Sequence, residues 1–115
     1  MNMERMAVSV SELNEYARRL LAGDPLLRNL EVCGEISGWN DHVSGHKYFA
    51  LKDENARVQC VMFRSYTSSL TFRPANGMRV TVRASASIYE ASGAFQLYVT
   101  EIRRDGEGEM FLRFE

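Results

Sequence analysis

His42 and His46 stand four residues apart in the stretch GEISGWNDHVSGHKYFALKD, residues 34–53, with Asp41 just before them and Asp53 and Glu54 just after. Titratable groups at this density raise metal binding and acid–base catalysis first, and the spacing supports neither. Histidines at i and i+4 aim two ring nitrogens at one metal when they share a helical face, whereas these lie in a glycine-bearing loop. The carboxylates flank turns, where Asp routinely closes the backbone on itself. No serine or cysteine stands in a nucleophile elbow, and neither a GxxxxGK phosphate loop nor a GxGxxG run occurs. The run DGEGE at residues 105–109 lacks the lysine and helix that a phosphate loop needs. The expectation is therefore no catalytic residue, no metal site and no cofactor in this chain.

The same stretch offers better material for holding a ligand. In a strand over KYFALKD, alternation puts Phe49 and Leu51 on one face and Tyr48, Ala50 and Lys52 on the other. In a strand over RVQCVMF, Val58, Cys60 and Met62 share a face, and Arg57, Gln59, Val61 and Phe63 share the opposite one. The turn DENA makes these two strands hairpin neighbours. With Phe49 and Leu51 inward, their outer faces present Tyr48, Lys52, Arg57, Gln59 and Phe63. That mixture suits single-stranded nucleic acid: rings stack on unpaired bases for about 1–3 kcal/mol each, and cationic heads meet phosphates. Lys47 and Arg64 flank the same two strands. Trp39, read as a loop aromatic, either stacks on a base or caps the barrel end. His46 either meets phosphate or satisfies the loop backbone.

These side chains need a scaffold, and the sequence signals one. Residues 9–23 read as an amphipathic helix, with Ser9 and Glu12 at capping-box spacing and Val10, Leu13, Tyr16, Leu20 and Leu21 at helical intervals. Its apolar stripe is expected to pack on the chain's own domain. From Leu30 the period changes to two, giving five strands: LEVCGEI, KYFALKD, RVQCVMF, MRVTVRASASIY and FQLYVTEIR. Gly34 permits a bend in the first. SGWNDHVSGH reads as a long loop, DENA and EASG as hairpin turns, and RSYTSSLTFRPANG as a long excursion between strands three and four. That order predicts a mainly β fold, a five-stranded Greek-key barrel of the OB type preceded by one helix, with an SH3-like barrel as the alternative. The boundaries expected are 1–29 for the arm and helix, 30–104 for the barrel, and 105–115 for the start of a linker or helix.

The totals agree with one compact domain: 115 residues, 45% apolar, are enough to bury a core unaided. Cys33 and Cys60 lie in apolar runs without CxxC spacing, so both are expected to be buried free thiols in a reducing, cytoplasmic setting. No apolar run reaches the roughly 18 residues of a membrane span, and the N-terminus does not resemble a signal peptide. The formal net charge is −1, yet His42–Arg83 holds seven bases (Lys47, Lys52, Arg57, Arg64, Arg73, Arg79 and Arg83) against Asp53 and Glu54, a local surplus of five. The surplus points to an anionic ligand.

From about Val8 onward, the linked set GEIS, SGHKYFALKD, VMF and GAFQLYV resembles the N-terminal part of the exodeoxyribonuclease VII large subunit. The resemblance implies an OB-fold domain that binds single-stranded DNA, with a hydrolytic domain downstream and absent here. It also implies a cytoplasmic enzyme that degrades single-stranded DNA to short oligonucleotides together with several copies of a small helical subunit. This sequence departs from the family's common pattern at Gly38, Lys47 and Ala84. Strands two and three also resemble the anticodon-binding OB domains of class II aminoacyl-tRNA synthetases, in which residues placed like Tyr48 and Gln59 face bases. RNA is therefore the alternative ligand, and a protein-assembly module, including self-association of this chain, the alternative class.

Overall fold

The computed structural model describes residues 7–105. Helix α1 (Val10–Ala22) begins where the sequence places its cap: the Ser9 hydroxyl accepts from the Glu12 N–H at 3.0 Å, and the Glu12 carboxylate accepts from the Ser9 N–H at 2.8 Å. That backbone hydrogen bond holds the Glu12 carboxyl below the usual carboxylate range. A single turn, α2 (Pro25–Arg28), follows; Asp24 caps it and proline takes its first position, where no N–H is needed.

Five strands come next: β1 (Leu30–Asp41), β2 (Lys47–Lys52), β3 (Arg57–Met62), β4 (Arg79–Tyr89) and β5 (Ala94–Arg104). They close a barrel in the order β1-β2-β3-β5-β4, every pairing antiparallel except the parallel β3–β5. This is the five-stranded OB arrangement expected from the strand and excursion order. The excursion between β3 and β4 opens with a 3-10 turn, Arg64–Ser69. Phe49, Ile36, Met62, Val80, Val82, Val99 and Cys60 are the largest fully buried side chains, so all five strands contribute apolar residues to one core. Burying Val- to Phe-sized side chains stabilises by about 1.5–3 kcal/mol each, which is why this layer fixes the register.

Strand β1 joins the two halves of the barrel, pairing with β4 through Leu30–Glu35 and with β2 from Glu35 to Asp41. Gly34 sits where it changes partner. A Cβ there would stand 3.1 Å from the Lys52 carbonyl oxygen, so glycine lets the two strands approach at the bend. β1 also runs further than its apolar pattern suggests. Residues 37–41, expected in a loop, are strand, interrupted by a bulge in which Gly38 and Trp39 oppose the single residue Phe49. Gly38 adopts φ +65°, the left-handed conformation a bulge of this kind requires. Trp39 is thus a strand residue; the loop is reduced to the turn from His42 to His46.

Two other expectations are corrected. Cys33 is exposed, because its position in β1 falls on the outer face, whereas Cys60 is buried and its thiol is pushed up to about 12 by desolvation. Alkylation of the native protein should therefore add one adduct per chain, at Cys33, and two only after denaturation; peptide mapping by mass spectrometry checks both. Of the stripe of α1 only Leu21 is half-buried; the rest does not pack on the barrel. Val10, Leu13, Tyr16 and Leu20 are all more than half exposed, and the helix is attached by its polar side: Asn14 donates to the Glu90 carbonyl at 2.9 Å, and Arg18 pairs with the Glu90 carboxylate. Of the segment 105–115, all but Asp105 lies outside the described residues; the Asp105 carboxylate accepts from the Thr81 hydroxyl at 2.8 Å.

Candidate nucleic-acid interface

On β2 and β3 the register pairs Tyr48 with Val61, Ala50 with Gln59 and Lys52 with Arg57. Parallel β5 then sets Gln96 beside Gln59 and Tyr98 beside Val61. The outer face of three adjacent strands therefore carries two rows, Tyr48–Val61–Tyr98 and Ala50–Gln59–Gln96, with Lys52 and Arg57 at the hairpin end. Ala50 and Val61, which alternation places outward, are nonetheless buried. They are the small side chains of rows whose neighbours are longer, and Val61 forms part of the floor of a groove.

That groove, about 430 Å³, is lined by His46, Tyr48, Val61, Phe63, Tyr89, Gln96 and Tyr98. Its aromatic groups support one another. Phe63 and Tyr98 are stacked with centroids 5.8 Å apart, His46 meets the Phe63 ring edge-on at 5.3 Å, and His42 meets Tyr48 edge-on at 5.7 Å. Gln96 donates to the Tyr98 hydroxyl at 2.9 Å, which holds both side chains in the wall of the groove. Phe63 is 40% exposed, so a flat apolar partner has ring surface still to cover.

The nine residues singled out in the sequence fall into separate groups. His46, Tyr48 and Phe63 line the groove, and Gln59 lies on its face by register. The His46 Nδ1 accepts from the Arg64 backbone N–H at 2.9 Å, so His46 satisfies the backbone where β3 ends. Arg64 lays its aliphatic stem over Gly45: a Cβ on that glycine, which has φ +94°, would stand 2.7 Å from the Arg64 Cδ. Lys52 and Arg57 are exposed and, among the described residues, take part in no ion pair. Lys47 behaves differently. It pairs with Asp41 at 2.9 Å, and Asp41 also accepts from the Trp39 indole N–H at 3.1 Å. The Lys47 hydrogen bond is the main reason the Asp41 carboxyl lies below its ordinary range. Trp39 in turn leans on Phe49 with ring centroids 5.0 Å apart and packs against the core, so it caps the barrel end. Trp39 and Lys47 line a different cleft from the aromatic groove, together with Asp41, Phe72 and Arg73.

Tyr98, Gln96 and Tyr89 are the groove residues that sequence reasoning missed. The signal was present in GAFQLYV, where Gln96 and Tyr98 flank the inward Leu97. What pattern reading lacks is the β3–β5 pairing that brings them beside Val61. The local surplus of positive charge is also spread out: Arg83 is engaged by Glu31 and Glu101 and Lys47 by Asp41, and of the five bases that remain, Lys52 and Arg57 are the two that the register sets on the outer face of β2 and β3, with no ion pair among the described residues. Among the described residues, no group of three or more His, Cys, Asp or Glu side chains is placed to hold a metal, and no helix is long and apolar enough to cross a membrane.

Comparison with known proteins agrees with this geometry. A family model described as an OB-fold nucleic acid binding domain matches residues 8–103. The chain is 50% identical over 108 residues to an exodeoxyribonuclease 7 large subunit from Clostridium acetobutylicum, covering 94% of this chain and 27% of that protein. It is 42% identical over 113 residues to the subunit of that name from Bacillus cereus, covering 98% and 25%. The chain thus spans about a quarter of the length of the curated relatives it matches. Among solved structures, a replication protein A heterotrimer bound to ssDNA is similar with a TM-score of 0.54 at 10% identity, over 68% of this chain and 57% of that one. The asparaginyl-tRNA synthetase of Pyrococcus horikoshii is similar with a TM-score of 0.53 at 14% identity, over 71% and 20%. At these identities the two structures speak to the fold alone.

Proposed function

Since this chain belongs to the family of OB-fold nucleic acid binding domains, we propose that it binds single-stranded DNA across the outer face of β2, β3 and β5. The observation that carries this reading is the groove itself. Tyr48, Phe63 and Tyr98 offer ring faces and edges around an apolar floor, and the unpaired Lys52 and Arg57 stand about 13 Å from Tyr48 along the strands, two nucleotide steps or so. Bases stack in the groove while the backbone runs toward the two cations. Gln59 and Gln96 present amides to base edges without enforcing one sequence.

The relatives give this module its setting. In a protein of the exodeoxyribonuclease 7 large-subunit type, residues 30–104 would hold the strand, and residues 105–115 would lead toward a nuclease domain outside this chain. The assembly would be cytoplasmic and would include the enzyme's small subunit. The chain by itself would hydrolyse nothing. Trp39 and Lys47 serve this scheme indirectly, by holding the barrel end.

The charges give a test. Substituting Lys52 or Arg57 by alanine should shallow the dependence of log K on log salt, by up to about 0.7 per lost phosphate contact on a single strand. Lys47→Ala should leave the slope nearly unchanged, because its ammonium is already committed to Asp41. Anisotropy titrations of a labelled oligonucleotide at several salt concentrations measure this. Slopes unaffected at both Lys52 and Arg57 would remove the phosphate path proposed here. RNA of the same sequence is the competing ligand, since stacking itself does not sense the 2′-hydroxyl.

A further inference from the structure

We infer that the exposed face of α1 is a self-association surface, on which α1 of a second copy of this chain packs antiparallel about a two-fold axis near Tyr16. The barrel holds this helix by a polar edge, Asn14 and Arg18 on Glu90, with Ala17 and Leu21 half-buried beneath. Roughly a quarter-turn away, Leu13, Tyr16 and Leu20 are 55%, 55% and 59% exposed, and Val10 at the helix start is 75% exposed. Four large apolar residues along one 13-residue helix form a continuous stripe rather than scattered singles.

The charges beside the stripe select the occupant. Glu12 and Arg19 lie seven residues apart, two helical turns, on one flank of it. When a second α1 lies antiparallel with Tyr16 near the axis, Glu12 of each copy comes level with Arg19 of the other, and Leu13 comes level with Leu20 to within about a residue's rise. One axis thus satisfies both the apolar and the ionic pairings, as an isologous interface requires. A parallel two-fold pair would carry this flank to opposite sides of the seam in the two copies, where Glu12 and Arg19 of one find no partner in the other. Nucleic acid suits this face poorly, since Glu12 and Glu15 stand beside an apolar surface. The helix is about 20 Å long, so the contact buries less than the roughly 1,000 Å² of a stable interface, and a weak dimer is expected.

Sedimentation of the 115-residue chain from about 10 µM to about 500 µM, a range that brackets weak self-association, should show the mass rising from monomer toward dimer. Leu13→Glu, at an exposed position that leaves the helix circular dichroism intact, should hold the chain monomeric throughout, and Arg19→Glu should weaken association several-fold. In a Cys33→Ser background, Tyr16→Cys should form a disulfide-linked dimer on oxidation while Val10→Cys should not, because only residues near the axis meet their own copies. A chain monomeric at every concentration, a dimer indifferent to Leu13→Glu, or cross-linking at Val10→Cys equal to that at Tyr16→Cys would each overturn the proposal.

Discussion

Phe49→Ala is expected to lower the unfolding free energy of the barrel by about 3–5 kcal/mol, the range for deleting a large aromatic from a packed core. Phe49 is 0% exposed, pairs in register with Cys60 and supports the Trp39 ring, so the cavity would open where β1 bulges toward β2. Relaxation has little to work with there, because Gly38 and Trp39 already spend one extra residue opposite Phe49. Urea denaturation followed by tryptophan fluorescence measures the loss. It should lower the midpoint, and it should shift the emission of the native state, since Trp39 is the chain's only tryptophan and would lose its neighbour. Oligonucleotide affinity, measured where the variant is still folded, should change little, because Phe49 faces away from the groove.

The second large effect belongs to binding. Tyr98→Ala and Tyr48→Ala should each weaken single-stranded DNA binding by about 1–3 kcal/mol, or roughly 5- to 150-fold in Kd, with the salt slope almost unchanged. Tyr98 carries the stronger expectation, since its removal also frees Phe63 from its stacking partner and Gln96 from its hydrogen bond. Both tyrosines are only half-buried and neither belongs to the core cluster, so the folded state should tolerate either change. The two sit two strands apart across Val61, about 10 Å, and the losses should add approximately in the double variant. Affinity unchanged in the double variant would place the bases elsewhere on the barrel.

Local pattern carried much of this architecture. Alternation in KYFALKD placed Phe49 and Leu51 inward and Tyr48 and Lys52 outward, as found, and the Ser9–Glu12 spacing located the helix start. The asparagine-bearing turn DENA closes as anticipated for Asp: the Asp53 carboxylate accepts from the Asn55 and Ala56 N–H groups, which holds its carboxyl below the usual range. Its contribution to stability is therefore present at neutral pH and is lost as pH falls through the carboxylate range. What pattern reading could not reach was set by contacts distant in sequence. The parallel β3–β5 pairing brings Tyr98 to the groove from 37 residues beyond Val61, and nothing within either strand announces it. A bulge accounts for a further difference: the extra residue breaks the alternation of β1, so pattern alone places Trp39 in a loop. Apolar periodicity showed that α1 has a face without showing what covers it, and Lys47 looked like a free cation because its partner Asp41 comes from the neighbouring strand.

The most direct test compares one labelled oligonucleotide as a single strand, as a duplex and as its RNA counterpart in fluorescence titrations at fixed, moderate salt. Stacking in the Tyr48–Phe63–Tyr98 groove requires unpaired bases. The single strand should therefore bind weakly but measurably, with little sequence preference, and distinctly better than the duplex, in which the rings have no base faces to meet. Equal affinity for duplex and single strand would contradict the stacking groove and leave only charge attraction, while binding confined to the RNA strand would move the ligand from DNA to RNA.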